Sequence, residues 1–254
     1  MAQVREGVKL LRVIDTFSGI GGFTLAGEQL GGFETVCFVE REPYCQRILQ
    51  KHWPDIPIHS DIRTFEPEMG SADVICGGFP CQDISLAGRQ AGIREGTRSG
   101  LFYELMRVVR LVRPRFIVLE NVSAILGNGL DTILGELVEA GFDAEWACIP
   151  ASAVGACHQR DRWWLVAYSN HERSQGLRKE LELHQSGGKI PFTWCHQPRM
   201  PESNWRRFVS QPLLRRGDDG LSHRVDRLKA LGNAVVPQVA QIPLARVLQL
   251  ANAK

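Results

Sequence analysis

Short apolar runs alternate with amphipathic segments along most of the chain. Apolar residues recur at helical spacing from residue 101 to residue 112, and Pro114 then ends that pattern. Because strands that alternate with helices are typical of α/β proteins, the pattern predicts one large α/β domain. The predicted strands are residues 10–15, 35–39, 74–76, 116–119 and 163–167, and the other predicted helices are residues 23–30, 43–52 and 131–140.

Small and acidic residues follow the first two predicted strands and the short strand that comes next in the chain. Residues 16–22, Thr-Phe-Ser-Gly-Ile-Gly-Gly, form a loop whose glycines allow a ligand to approach the backbone, although a bare turn would look the same. Glu40 ends the next strand, where a carboxylate can accept both hydroxyls of a ribose. Asp61 follows a further short strand and suits either an adenine amino group or a turn cap. The two acids together predict a nucleoside site.

One cysteine lies just beyond a predicted strand end. Cys81 follows Gly-Gly-Phe-Pro after the apolar run 74–76, and open α/β sheets place their ligand sites at such strand ends. A thiolate there would be a nucleophile, because the thiolate is the reactive form of cysteine. The alternative interpretation is a half-buried structural cysteine.

Acidic and basic side chains are expected at the same sheet edge. Glu120 directly follows the run 116–119, and partial burial of a carboxyl raises its pKa toward neutrality, as a general acid requires. A capping or salt-bridged glutamate is the alternative. Arg160 and Arg162 precede the strand 163–167 and, two residues apart, face the same way. Between residues 82 and 100, glycines interleaved with arginines predict a mobile basic loop beside Cys81.

Composition narrows the classes of protein further. The 254 residues include seven scattered cysteines without a C-x-x-C pair, which favours a reducing cytosol and neither a disulfide framework nor a metal site. We expect a cytoplasmic protein, because the first nine residues lack an apolar leader and no apolar run approaches a membrane span. Residues 1–150 carry 14 Lys and Arg against 20 Asp and Glu, whereas residues 151–254 carry 16 against 8. The basic second part predicts contact with a polyanion, unless it is a solvated basic face.

Five ordered blocks resemble the cytosine-C5 DNA methyltransferases. They are Asp-Thr-Phe-Ser-Gly-Ile-Gly-Gly at 15–22, Pro-Cys-Gln at 80–82, Glu-Asn-Val at 120–122, Arg-Asp-Arg at 160–162 and Gly-Asn-Ala-Val-Val-Pro at 232–237. The resemblance covers about residues 10–168 and 222–250. It implies a doubly wound, mostly parallel sheet that binds S-adenosylmethionine and releases S-adenosylhomocysteine.

The resemblance also implies roles for individual residues. Cys81 would add to cytosine C6, Glu120 would donate to N3, Arg162 would hold O2, and Arg160 would brace the site or a phosphate. The base would have to be flipped out of the duplex to reach them. Two departures from the family pattern are His158, where a glutamine is usual, and Arg41, where an aromatic residue is common. The cofactor-binding residues that the resemblance implies are Phe17, Ser18, Gly19, Gly21, Gly22, Glu40, Asp61, Ile62, Pro80, Leu101 and Asn233.

The segment 169–221 occupies the place where this family inserts its target-recognition region. It is rich in arginine, histidine and tryptophan, which suits contacts to phosphates and base edges, although a surface excursion would look similar. Residues 1–168 are then the catalytic and cofactor-binding domain, and residues 222–254 complete it. We expect a monomer that acts on double-stranded DNA, with no membrane contact. The resemblance leaves two alternatives open, an enzyme with a cognate restriction endonuclease as partner and a phage-borne enzyme without one.

Three other functions fit parts of the sequence. An RNA methyltransferase that modifies tRNA would use the same blocks. A nicotinamide-dependent oxidoreductase would share the glycine loop and Glu40, but it gives no reason for Cys81 together with Glu120 and Arg162. A DNA-binding module without catalysis is the third alternative, but the complete catalytic set argues against it.

Overall fold

The computed structural model describes residues 10–80, 100–169 and 224–252. In these ranges the chain forms seven strands and seven α-helices, with short 3-10 turns at Ile62–Thr64 and Ala151–Val154. The strands are β1 Leu11–Thr16, β2 Phe33–Val39, β3 Ile58–His59, β4 Val74–Gly77, β5 Phe116–Val122, β6 Phe142–Pro150 and β7 Asp161–Ser169. The helices are α1 Gly22–Leu30, α2 Pro43–His52, α3 Leu101–Val112, α4 Ile125–Asn128, α5 Leu130–Glu139, α6 Arg224–Asn233 and α7 Pro237–Asn252.

All seven strands belong to one sheet in the order β3-β2-β1-β4-β5-β7-β6. Neighbouring strands are parallel from β3 to β5, and β7 is antiparallel to both of its neighbours. The chain starts in the middle with β1, builds outward to β3, and then returns to build from β4 in the other direction. The strand order therefore reverses between β1 and β4, where open α/β sheets hold their ligands. The expectation of a doubly wound, mostly parallel sheet is confirmed.

Apolar side chains cover both faces of the sheet. Alternate residues of each strand point to opposite faces, so Trp163 and Trp164 of β7 are both fully buried in different clusters. One cluster packs the sheet against α3 and α5, and the other packs it against α1 and α7. Because the central strands are covered on both sides, they read as continuous apolar runs in the sequence.

The predicted elements differ from the structure mainly at their ends. Strand β5 continues through Val122 and β7 begins at Asp161, so Glu120 and Arg162 lie within paired strands rather than after or before them. Strand β6 and helix α6 were not predicted. In β6 only Phe142 and Ile149 are buried and Trp146 is 41% exposed, as expected for the outermost strand of a sheet.

The C-terminal part contains an apolar stretch that the sequence analysis did not anticipate. Residues Ala230–Asn252 are long and apolar enough to cross a membrane by length and composition alone. Helix α7, which supplies most of that stretch, packs against α1 and places Val239, Leu244 and Val247 in the core. One face of the helix thus packs into the core, and the stretch corrects the expectation that no run approaches that length.

Candidate active site at the carboxyl edge of the sheet

A cavity of about 550 Å³ opens at the carboxyl edge of the sheet, beside the reversal between β1 and β4. Its volume lies in the range of small-molecule sites. Ten of the predicted site residues line it: Phe17, Glu40, Asp61, Ile62, Pro80, Leu101, Glu120, Arg160, Arg162 and Asn233. The other lining residues are Val39, Arg41, Glu42, Arg63, Gly78, Phe79, Asn121, Val122 and Gly232.

Glu40 stands at the end of β2 with its carboxylate held by backbone N–H groups. The N–H of Gly19 donates to Oε2 at 2.7 Å, and the N–H of Glu42 donates to Oε1 at 2.7 Å. Burial raises the pKa of Glu40, and the bonds from Glu42 and Gly19 act in the opposite direction. Each carboxylate oxygen has a further lone pair, so Glu40 keeps acceptor capacity toward two hydroxyls. The arrangement fits the predicted ribose contact.

The glycine loop contributes to this end of the cavity through Phe17. Phe17 has a φ of 52°, which is uncommon for a residue with a side chain, and it lines the cavity. Ser18 is buried and donates its hydroxyl to the carbonyl of Asp15. Gly19 acts through its N–H on Glu40. Gly21 and Gly22 line a second groove instead, so direct contact of Ser18, Gly19, Gly21 and Gly22 with a cofactor stays a prediction.

Asp61 lines the cavity and also caps a turn. Its carboxylate accepts the N–H of Arg63 at 3.1 Å and pairs with the guanidinium of the same residue. The side-chain hydrogen bond from Arg63 lowers the pKa of Asp61 to about 2, and nearby Arg41 acts in the same direction. Asp61 is therefore ionised near neutral pH and serves as a hydrogen-bond acceptor. The capping alternative is confirmed, while the adenine contact stays a prediction.

Asp15 is a buried acid that the sequence analysis did not single out. It lies in β1 with no exposed surface, and the hydroxyl of Thr24 donates to its Oδ2 at 2.8 Å. Its Oδ1 has no hydrogen-bond partner within the described residues. Burial raises the pKa of Asp15 to about 7. The signal was present in the sequence, because Asp15 ends an apolar strand just as Glu120 follows one.

Glu120 is the buried acid at the opposite end of the cavity. Only 8% of its surface is exposed, and its Oε1 lies 3.2 Å from Nε of Arg162. Burial raises the pKa of Glu120 to about 7, although the positive charges of Arg162 and Arg160 oppose that rise. Near neutral pH, Glu120 is therefore present in both forms and can donate a proton to a ligand base.

The Pro80 end of the cavity is held by the residue that follows Glu120. Nδ2 of Asn121 donates to the carbonyl of Phe79 at 3.1 Å, and Oδ1 of Asn121 accepts the N–H of Val122 at 2.8 Å. Asn121 is almost completely buried. The bond fixes the backbone just before Pro80 and Cys81. Its sequence signal was the Glu-Asn-Val block, to which no role for the asparagine had been given.

Arg160 and Arg162 both line the cavity but make different contacts. Arg162 faces the carboxylate of Glu120, whereas Arg160 donates to the carbonyls of Gly232 and Ala234. Arg160 lies just before β7, so the two side chains share the cavity but not their contacts, and their predicted roles in catalysis stay predictions. Cys81, the basic loop from residue 82, and all but the first residue of the segment 169–221 lie outside the described residues.

Comparison with known proteins shows a consistent likeness. Residues 11–202 match the model of the family described as C-5 cytosine-specific DNA methylase. The Type II methyltransferase M.HhaI of Haemophilus parahaemolyticus is 31% identical over 180 residues, which cover 68% of this chain and 54% of that protein. The Type II methyltransferase M.CviJI of Paramecium bursaria Chlorella virus IL3A is 34% identical over 214 residues, covering 80% and 54%. The chain thus spans about half the length of these curated relatives.

Solved structures share the fold. DNMT2 of Spodoptera frugiperda superposes with a TM-score of 0.51 at 20% identity, covering 63% of this chain and 50% of that one. A putative DNA modification methyltransferase encoded within an E. coli prophage gives a TM-score of 0.51 at 25% identity, covering 63% and 47%. The chain thus has the α/β fold of these methyltransferases, and its cavity lies at the carboxyl edge of the sheet.

Proposed function

The chain belongs to the C-5 cytosine-specific DNA methylase family, and from this premise we propose that it transfers a methyl group from S-adenosylmethionine to C5 of cytosine in duplex DNA. The observation that carries the proposal is the pairing of Glu120, whose pKa is raised to about 7, with Arg162 in the cavity that Pro80 also lines. Cys81 follows Pro80 in the chain. An acid, a guanidinium and a thiol are the groups that covalent activation of cytosine requires.

The end of the cavity near β2 suits S-adenosylmethionine. Glu40 keeps acceptor capacity for the ribose hydroxyls, and ionised Asp61 can accept an amino group of adenine. Phe17 and Leu101 supply apolar contact, and Asn233 completes the lining. When bound, the cofactor supplies a methyl group on a positively charged sulfur.

The residues at the other end activate the cytosine. The Cys81 thiolate adds to C6, and the electrons of the C5–C6 double bond move toward N3 and O2. Glu120 gives its proton to N3, and Arg162 offers N–H donors to O2, so the negative charge that develops on the ring is neutralised. C5 then becomes electron-rich and able to accept a methyl group. Once C5 carries the methyl group, water takes the C5 proton, the C5–C6 double bond forms again as the thiolate leaves C6, and N3 returns its proton to Glu120, which restores the free enzyme.

The base must leave the double helix for this chemistry, since C6 is hidden in stacked duplex DNA. We propose that residues 169–221 form a short target-recognition region, that residues 1–168 and 222–254 make up the catalytic domain, and that the enzyme works as a cytoplasmic monomer. A cognate restriction endonuclease stays a prediction that rests on the Type II names of the relatives.

Methyl incorporation tests the proposed function. Purified protein is incubated with S-adenosylmethionine carrying a labelled methyl group and with either plasmid DNA or tRNA, and the plasmid is then sequenced after bisulfite treatment. We expect label in the DNA and protected cytosines at a repeated short sequence. Label in tRNA alone would support the RNA methyltransferase instead, and label in neither would contradict the proposal.

The recognition region is tested by alanine substitution of Arg199, Arg206 and Arg207. Loss of a phosphate contact should weaken binding to every duplex and lower the salt slope by about one unit. Loss of a base contact should relax the methylation pattern at one position, by roughly 1–3 kcal/mol of discrimination. If all three variants keep both the pattern and the slope, recognition belongs to another part of the chain.

A further inference from the structure

Arg160 lies between two cavities. It lines the main cavity, and it also lines a groove of about 280 Å³ between the glycine loop and the start of α7. The backbone at Arg160 has a φ of 29°, in the left-handed region that residues with side chains rarely adopt. Such a conformation persists only where the surroundings hold it, so the contacts of this side chain call for an explanation.

The guanidinium of Arg160 spans two carbonyl groups on either side of Asn233. Nη1 donates to the carbonyl of Gly232 at 2.7 Å, and Nη2 donates to the carbonyl of Ala234 at 2.7 Å. Gly232 belongs to the last turn of α6, where carbonyls have no partner within the helix. A planar guanidinium can satisfy two such acceptors at once, which an ammonium group on a flexible chain does less well.

The opposite side of the same segment is in tight contact with the glycine loop. A Cβ placed on Gly22 would lie 2.8 Å from the carbonyl oxygen of Val235. Val235 therefore packs close to the backbone of Gly22, where a side chain would push the segment away from the loop. The two bonds from Arg160 keep it from moving away, so Asn233 has a defined place in the cavity wall.

We propose that Arg160 is a positioning residue, which holds the Asn233 wall of the cofactor cavity through the carbonyls of Gly232 and Ala234. The proposal rests on the proposed function, since it takes S-adenosylmethionine as the ligand of that cavity. It favours the bracing role of Arg160 over a phosphate contact. Arg162, which faces Glu120 instead, then serves the cytosine end alone.

A second arginine offers a matched control. Arg246 on α7 pairs with Glu145 on β6, with Nε 2.7 Å from Oε1, and this bond also ties the C-terminal part of the chain to the sheet. Neither residue lines the main cavity. Arg246→Ala should therefore loosen the same part of the chain without disturbing the wall at Asn233.

The experiment measures S-adenosylhomocysteine binding by calorimetry for the full chain and its variants, together with the melting temperature of each. We expect Arg160→Ala to weaken binding by about tenfold or more, because two charge-assisted hydrogen bonds are lost. Arg160→Lys should weaken binding nearly as much, since lysine keeps the charge but cannot span both carbonyls. Millimolar guanidinium should restore part of the affinity of Arg160→Ala. Arg246→Ala should bind like the wild type.

Three results would contradict the proposal. Wild-type affinity in Arg160→Ala, or full affinity in Arg160→Lys, would show that the pair of carbonyl bonds does not hold the wall. An equal loss in Arg246→Ala would show a general loosening rather than a local role. If Arg160→Ala does not fold, the affinity of Arg160→Lys for S-adenosylhomocysteine, compared with that of Arg246→Ala, tests the proposal instead. If the wild type binds no S-adenosylhomocysteine, the proposed function itself fails and this inference falls with it.

Discussion

Asp61 and Glu120 are carboxyl groups in one cavity whose pKa values shift in opposite directions. Arg63 donates to Asp61 at the rim and lowers its pKa to about 2, whereas burial at the end of β5 raises the pKa of Glu120 to about 7. The first is thus fixed as a hydrogen-bond acceptor, and the second can act as a proton donor. The difference teaches that the environment at each end of the cavity, rather than the presence of a carboxyl group, assigns the chemistry.

The largest effect is expected from replacing Cys81, the proposed nucleophile at the Glu120 end of the cavity. Cys81→Ser should abolish methyl transfer, because a hydroxyl without a strong base is a far weaker nucleophile than a thiolate. Binding of S-adenosylhomocysteine should persist, since its proposed contacts lie at the other end. Calorimetry and methyl incorporation on the same preparation check both statements. Wild-type turnover in this variant would remove Cys81 from the mechanism.

Glu120→Gln keeps the shape of the side chain and removes its proton. We expect the single-turnover rate to fall by about 10²-fold, as for the loss of a positioned acid, with little change in cofactor affinity. In the wild type, the protonated fraction of Glu120 falls as the pH rises through about 7. The single-turnover rate of methyl transfer should therefore decline above that pH. An unchanged rate in the variant would assign the acid role elsewhere.

Asp61→Asn should have the opposite effect to Glu120→Gln: it should weaken cofactor binding and leave the rate of methyl transfer nearly unchanged. The variant loses the negative charge at the proposed adenine position and its ion pair with Arg63, so we expect S-adenosylhomocysteine to bind about tenfold more weakly. The rate at saturating cofactor should stay close to that of the wild type. The two ends would not be independent if Asp61→Asn slowed transfer as much as Glu120→Gln does.

Asp15 tests whether burial, with a smaller contribution from the charge of Glu40, raises the pKa of a carboxyl outside the cavity. Its pKa rises from 3.8 to about 7 on folding, so the folded state binds more protons than the unfolded state between these values. This group's contribution to stability is therefore present at low pH and is lost as the pH rises from about 4 to about 7. Asp15→Asn should flatten that decline by on the order of a few kcal/mol.

Denaturant unfolding of Asp15→Asn at several pH values measures this effect. The exposed acid Asp55 provides the control, because Asp55→Asn removes the same charge without a buried site. The expected result is a smaller slope of unfolding free energy against pH for Asp15→Asn alone. Identical slopes in the wild type and both variants would contradict the burial argument.

The sequence predicted the centre of the sheet better than its edges. Strand β4 and helices α2 and α3 were found almost to the residue, because a strand covered on both faces reads as a continuous apolar run and an amphipathic helix leaves a periodic pattern. Strand β6 was missed because its side chains are mostly half-exposed, which gives no alternation to detect. Helix α6 was missed because charged residues surround its few apolar positions, Val225, Leu228 and Leu231, and leave only a weak helical pattern.

The site was predictable in its members but not in its contacts. Glu40 could be named because it follows a predicted strand, and Glu120 and Arg162 because they stand near strand ends in recognisable blocks. The bond from Asn121 to Phe79 and the bonds from Arg160 to Gly232 and Ala234 join residues that are 42 or more positions apart. Such pairs depend on the register of β5 and β7 and on the return of the C-terminal segment, which no local pattern encodes.

The most direct test of the mechanism is a covalent trap. A duplex that contains 5-fluorocytosine at the methylated position cannot lose the C5 substituent as a proton, so the adduct between Cys81 and C6 should accumulate in the presence of S-adenosylmethionine. Mass spectrometry of the digested complex identifies the modified cysteine. We predict one adduct on Cys81 in the wild type and none in Cys81→Ser. An adduct on another cysteine, or none in a protein that methylates ordinary duplexes, would contradict covalent catalysis by Cys81.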